Sequence, residues 1–234
     1  LVDNATFTNG AKLTADDGLE GDKFGRAVAI SGNTILVGAY RVDANGIDSG
    51  ALYTFDYIGG AWLPMQKLVP PDNAAFDVLG ESVAMDGNTL VAGAYTDDLG
   101  VNAGAAYVYE RVGSTWVYKQ KLLAADGVAG DYFGQLVAIS GDTIAVGAPF
   151  HDLLGSESGA VYVFERAGGT WTQTAKLTAS GGAAGDWFGF WVAVDGATII
   201  ASSPLNSVRG AQAGAVYAFE KQGGVWTQTQ RIFG

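Results

Sequence analysis

The chain of 234 residues contains no cysteine, one histidine and 5 prolines. Without cysteine there is no disulfide framework, no thiolate zinc site and no thiol nucleophile. The absence leaves the compartment open, because a domain of this size buries enough apolar surface to fold without staples. Positive charge is also scarce, with 13 Lys and Arg against 24 Asp and Glu and a net charge of −11. Such a surface repels phosphate backbones and excludes nucleic acid as the expected partner. No apolar run approaches the roughly 20 residues of a membrane helix. Stretches such as TIIA (198–201) end in small or polar residues, so membrane insertion is not expected. The first residue is Leu1, with no leader segment after it, which reads most simply as a processed chain or part of a longer one. What is abundant is glycine, at 35 residues, together with 12% aromatics. Many glycines and aromatics with little proline suggest short strands joined by tight turns.

Internal repetition is the dominant signal. Trp62, Trp116, Trp171 and Trp226 recur every 54 or 55 residues. The segments GALYTF (50–55), GAAYVY (104–109), GAVYVF (159–164) and GAVYAF (214–219) keep the same step. So do Phe24-Gly25, Leu79-Gly80, Phe133-Gly134 and Phe188-Gly189. The chain therefore reads as one domain, 1–234, of repeats at approximately 12–66, 67–120, 121–175 and 176–230.

Each repeat predicts four strands. In the third, GQLVAIS (134–140) and the apolar run TIAVGAP (143–149) flank Gly141-Asp142, and AVYVFER (160–166) and TWTQTAKL (170–177) flank Gly168-Gly169. Glycine between alternating runs is a hairpin signal, because it adopts positive φ cheaply. Pro64 cannot donate to a ladder, so the fourth strand is expected at the outer edge of its sheet. Tandem four-stranded units are blades. The fold class is all-β, a β-propeller with four four-stranded blades, read first as a closed ring. The alternatives are part of a larger propeller, or one completed by oligomerisation. Residues 5–13 also match the fourth strand, with Phe7 at the tryptophan position, which leaves one outer strand more than a simple ring needs.

The repeat resembles the FG-GAP family, as in bacterial surface proteins and the integrin α head. The resemblance rests on FG at 24–25, 133–134 and 188–189 and on the GA(P/Y) element at 38–40, 93–95 and 147–149. It implies a secreted or cell-surface propeller. Two repeats depart from the pattern, with Leu79 for phenylalanine and ASSP (201–204) for GAP. The hairpins before GAP are short, SGNT (31–34), DGNT (86–89), SGDT (140–143) and DGAT (195–198), so integrin-type calcium binding does not carry over.

Several residues are candidates for function, each with a plainer reading beside it. The tryptophans at 62, 116, 171 and 226 would stack on sugars or, as their strict recurrence favours, pack between blades. Tyr53, Tyr107, Tyr162 and Tyr217 read as core with satisfied hydroxyls. Asp22, Asp77, Asp131 and Asp186 would converge on a ring axis, or each starts an inner strand through an Asx turn, the reading favoured here. In the variable loops after GAP, Asp43, Asn45 and Asp48 have alternate-residue oxygen spacing, and Asp97, Asp98 and Asn102, or Asp152 and Glu157, are comparable. These are Ca²⁺ candidates or plain solvated turns. No cofactor is required by any motif, and Ca²⁺ is the one candidate ion. Trp187, Phe190 and Trp191 break the repeat, and Tyr40, Arg41, Tyr95 and Phe150 flank the long loops. Aromatics there suit recognition of a protein or glycan, against the alternative of blade packing. His151 reads as solvated, and no catalytic motif is present.

The leading expectation is thus a non-catalytic recognition module that binds a protein or carbohydrate through one propeller face. A carbohydrate-active enzyme with axial carboxylates is the alternative. A homo-oligomer or a larger parent chain fits either reading.

Overall fold

The computed structural model describes residues 10, 12–97 and 103–233. Most of the strand expected at 5–13, and the candidates Asp98 and Asn102, lie outside the described residues. The described chain is all β, in four antiparallel four-stranded sheets. Blade 1 holds β1 (Ala27–Ser31), β2 (Thr34–Ala39), β3 (Ala51–Ile58) and β4 (Ala61–Leu68). Blade 2 holds β5 (Ser82–Asp86), β6 (Thr89–Ala94), β7 (Ala105–Val112) and β8 (Thr115–Leu122). Blade 3 holds β9 (Leu136–Ser140), β10 (Thr143–Ala148), β11 (Ala160–Ala167) and β12 (Thr170–Leu177). Blade 4 holds β13 (Val192–Asp195), β14 (Thr198–Ser203), β15 (Ala215–Gln222) and β16 (Val225–Phe233).

Sequence order is spatial order in every sheet, and Pro64 sits on an edge strand as its missing N–H requires. The first hairpins turn through Gly32, Gly87, Gly141 and Gly196, all with φ between 53° and 55°. A residue with a Cβ pays for that conformation, which is why glycine recurs there. A register shift falls at one repeat position in all four outer hairpins, between Thr54/Phe55, Val108/Tyr109, Val163/Phe164 and Ala218/Phe219. Because neighbouring strands are antiparallel, the tight turns gather at one end of the blades. The long loops and the connections between blades share the other.

Three layers of side chains join the blades. Leu36, Leu52 and Leu68 of blade 1 pack on Leu79, Leu90, Tyr107 and Trp116 of blade 2. Val91, Val108 and Leu122 pack on Phe133, Ile144, Tyr162 and Trp171, and Val161, Val163 and Leu177 on Phe188, Ile199, Tyr217 and Trp226. Trp116, Trp171 and Trp226 are thus interblade core, Trp62 packs within blade 1's own cluster, and Leu79 fills the phenylalanine place completely buried. Polar clamps lock the layers. The Gln66 amide donates to Trp116 O and accepts from Trp116 N, both at 2.9 Å. Gln120 does the same with Trp171 at 2.7 and 2.9 Å. The backbones approach so closely that a Cβ built on Gly38, Gly93 or Gly147 would stand 1.9–2.1 Å from a carbonyl of the next blade.

Among the described residues, the fourth layer of a closed ring is not made. The core of blade 1's outward side, around Val37, Tyr53 and Phe55, is completed by its own Leu13, Ala15, Phe24 and Trp62. Val28 is 66% exposed, whereas its equivalents Val137 and Val192 are 5% and 8% exposed. On the far side of blade 4, Ile200 and Ile232 are exposed where Leu36 and Leu68 are buried. Ser202 stands at the repeat position of Gly38, Gly93 and Gly147, with a side chain where a following blade needs none. Among the described residues the four blades form an arc, with no side-chain layer between the first and the last.

Candidate functional site

The inner strands β1, β5, β9 and β13 lie side by side along the concave edge of the arc. Their first residues line a cleft of about 280 Å³ formed by Arg26, Ala27, Val28, Glu81, Ser82, Val83, Gln135, Leu136, Phe190 and Trp191. Arg26, Glu81, Gln135 and Phe190 occupy one repeat position, directly after the FG glycine. A backbone ladder fixes the strands, so four different side chains are presented on a common frame. Arg26 Nη2 lies 2.5 Å from Glu81 Oε1, and the Glu81 side chain is only 10% exposed. Its Oε2 is shielded from solvent and has no hydrogen-bond partner. Burial pushes the Glu81 carboxyl up, and the charges of Arg26 and Arg41 only partly oppose it.

A line of aromatic rings leads from the long loops to this cleft. Tyr95 meets Tyr132 with centroids 5.4 Å apart, Tyr132 meets Phe150 at 5.0 Å, and Phe150 meets Trp187 at 5.0 Å. Trp187 then stacks on Phe190 at 5.8 Å, and Phe190 meets Trp191 at 6.1 Å. Tyr132 and Trp187 reach the line because the residue before each FG position has positive φ, 55° and 56° here. Trp187 is also held by its indole N–H, which donates to Glu157 Oε2 at 2.9 Å. Tyr95 is close enough to Glu81 that burial, and then the Glu81 charge, push its hydroxyl up. Arg41 lies over the Tyr40 ring, 5.4 Å from its centroid. Trp191 is 61% exposed, while Tyr95, Tyr132, Phe150, Trp187 and Phe190 are half-buried.

The recognition candidates Tyr95, Phe150, Trp187, Phe190 and Trp191 are thus brought into one continuous surface, with Tyr40 and Arg41 beside Glu81's field. Sequence reasoning missed Tyr132, Arg26, Glu81 and Gln135. The available signal was disagreement between repeats at the position after FG.

The loop carboxylates have local partners. Asp43 Oδ1 accepts the Asp48 N–H at 2.9 Å, and Asp152 Oδ1 accepts the Glu157 N–H at 2.7 Å. In blade 4 Ser207 Oγ accepts the Gln212 N–H at 3.0 Å, so a hydroxyl closes the same loop. Asn45 uses its backbone N–H to bond Ser49 Oγ at 3.0 Å. Asp97 is buried against the Tyr107 hydroxyl and Lys121. Among the described residues, no three acidic or histidine side chains gather as metal ligands.

Asp22, Asp77, Asp131 and Asp186 each accept a backbone N–H three residues earlier, at 2.7–2.9 Å. None lines the axial cleft. Each carboxylate thus closes the turn before it rather than making the expected Asx turn onto the strand that follows, and the converging tetrad is not formed. His151 differs from expectation, because it is buried. Its Nδ1 lies 2.9 Å from Asp131 Oδ2 and its Nε2 2.5 Å from Lys176 Nζ. Lys176 also reaches Asp126, which accepts the Tyr162 hydroxyl at 2.9 Å. Asp17, Lys67 and Tyr53 form the same trio in blade 1. In blade 4 Gly181 replaces the aspartate, and burial pushes the Tyr217 hydroxyl up while Arg231 opposes the shift.

The FG-GAP repeat family matches residues 7–55, 62–109, 116–164 and 171–219, and the chain belongs to that family. No curated protein matches it. Among solved structures, it is similar to a provisionally assigned 6-phosphogluconolactonase from Bacteroides fragilis NCTC 9343, at 15% identity and a TM-score of 0.55. The match covers 88% of this chain and 56% of that one, so the chain spans little more than half of its structural neighbour. At that identity the likeness extends to the fold alone.

Proposed function

We propose that this FG-GAP propeller is a non-catalytic recognition module, secreted or displayed at a cell surface, that binds a protein or carbohydrate ligand through its long-loop face. One observation carries the reading: the continuous line of rings from Tyr95 to Trp191, ending at a polar cleft. Half-buried aromatics held by their neighbours offer contact area at little entropic cost, the usual composition of a binding surface. The repeats share their packing residues closely but differ at the position after FG, where Arg26, Glu81, Gln135 and Phe190 stand. No helix among the described residues is long and apolar enough to cross a membrane. The reading requires no ion, because Asp43 and Asp152 already close their own loops.

The test is a glycan and peptide array probed with the wild-type chain and with a Phe190→Ser/Trp191→Ser variant. The expected result is reproducible binding that the variant loses, with every bound molecule recovered unchanged in mass. Equal binding by the variant, or cleavage of a bound molecule, overturns the proposal.

A further inference from the structure

We infer that the axial cleft is a subsite for a neutral sugar ring, with Glu81 and Arg26 reading its hydroxyls and Trp191 as the stacking wall; this rests on the recognition reading above and names its ligand class. The first ground is the state of Glu81. Its side chain is nine-tenths buried in the wall of the cleft, and one carboxylate oxygen is engaged by Arg26 while the other has no partner. Buried acceptors are nearly always satisfied, and this one becomes open to a ligand hydroxyl when the half-exposed Arg26 side chain moves aside. The second ground is charge. A glutamate and an arginine 2.5 Å apart offset one another, so the pair itself has little attraction for a free ion. What the pair offers is one acceptor and several donors side by side, which suits adjacent hydroxyls that each donate and accept. Arg26 is half-exposed and therefore the movable member of the pair. The third ground is shape and surface. The cleft, about 280 Å³, suits a sugar unit and not a folded partner, and the exposed indole of Trp191 and the ring of Phe190 flank it. An indole face takes the apolar C–H face of a pyranose while the ring's hydroxyls point to the polar side.

The test uses maltohexaose and cellohexaose as probes, titrated into the whole chain by calorimetry and followed by saturation-transfer NMR. The expected result is binding of at least one probe, weakened tenfold or more by Glu81→Gln and by Trp191→Ala. Tyr57→Ala, on the outer hairpin, should bind as the wild type does. If neither probe binds while array peptides bind in a Trp191-dependent way, the sugar assignment falls and the recognition reading stands. If nothing binds the long-loop face, both fall. Unchanged affinity in Glu81→Gln, with folding intact by circular dichroism, also overturns the role given to this carboxylate.

Discussion

At the scale of single residues, the chain separates groups that stabilise from groups that do not. Trp171 is almost wholly buried between blades 2 and 3, its ring under the Arg166 guanidinium and its backbone clamped by Gln120. Trp171→Ala should cost about 3–5 kcal/mol, read as a lower denaturant midpoint. A loss of about 0.5 kcal/mol, the scale of a surface substitution, would contradict its placement in the core. Glu81 behaves in the opposite sense. Its carboxyl is held above the usual 4.5, so the fold favours the neutral form and stability falls as pH rises from 4.5 through the raised value. Glu81→Gln should therefore raise the melting temperature at pH 7, and the gain should vanish below about pH 4.5. A lower melting temperature at pH 7 would mean that the Arg26 pair outweighs the burial. Retaining a destabilising group beside a cleft is the pattern of a binding residue.

At the scale of elements, seams between blades are set by glycine. Gly147 in β10 has ordinary φ, yet a Cβ there would lie 2.1 Å from Gly189 O. Gly147→Ala should destabilise by about 1–3 kcal/mol through overpacking, measured by chemical denaturation. A neutral effect would mean that the seam between β10 and the start of blade 4 is looser than its geometry. Blade 4 supplies a natural comparison, because Ser202 occupies the same position where no further blade approaches. Strands, hairpins and the recurring tryptophans, three of them interblade, were legible in the sequence because each is marked by short-range patterning repeated along the chain. Period-two alternation, Gly32-Asn33 turns and Trp62, Trp116, Trp171 and Trp226 all state local needs. The four FG-proximal aspartates were legible as local backbone acceptors, although each bonds the N–H three residues before it and not one that follows. The cleft was not, because Glu81 and Arg26 lie 55 residues apart and meet only after two blades dock. His151 was misread for the same reason: Asp131 and Lys176 come from separate segments.

At the scale of the whole molecule, the open arc gives the blades unequal protection. Blades 2 and 3 have a blade on either side, whereas Val28 and Ile30 of blade 1 and Ile200 and Ile232 of blade 4 face solvent. Among the described residues no side-chain layer joins blade 4 to blade 1, and Ser202 stands on the face of blade 4 at the position glycine holds in the other blades. Amide exchange should be slowest in β6 and β10 and faster in β2 and β14, the equivalent strands of the end blades. Uniform protection across the four would contradict the open arc.

The same method tests the central claim most directly, that ligands meet the long-loop face. Exchange is compared in the presence and absence of the strongest array ligand. The account predicts new protection at residues 129–132, 150–158 and 186–191, where the aromatic line and its loops lie. Protection confined to the tight-turn end, at 31–34, 86–89, 140–143 and 195–198, would contradict it.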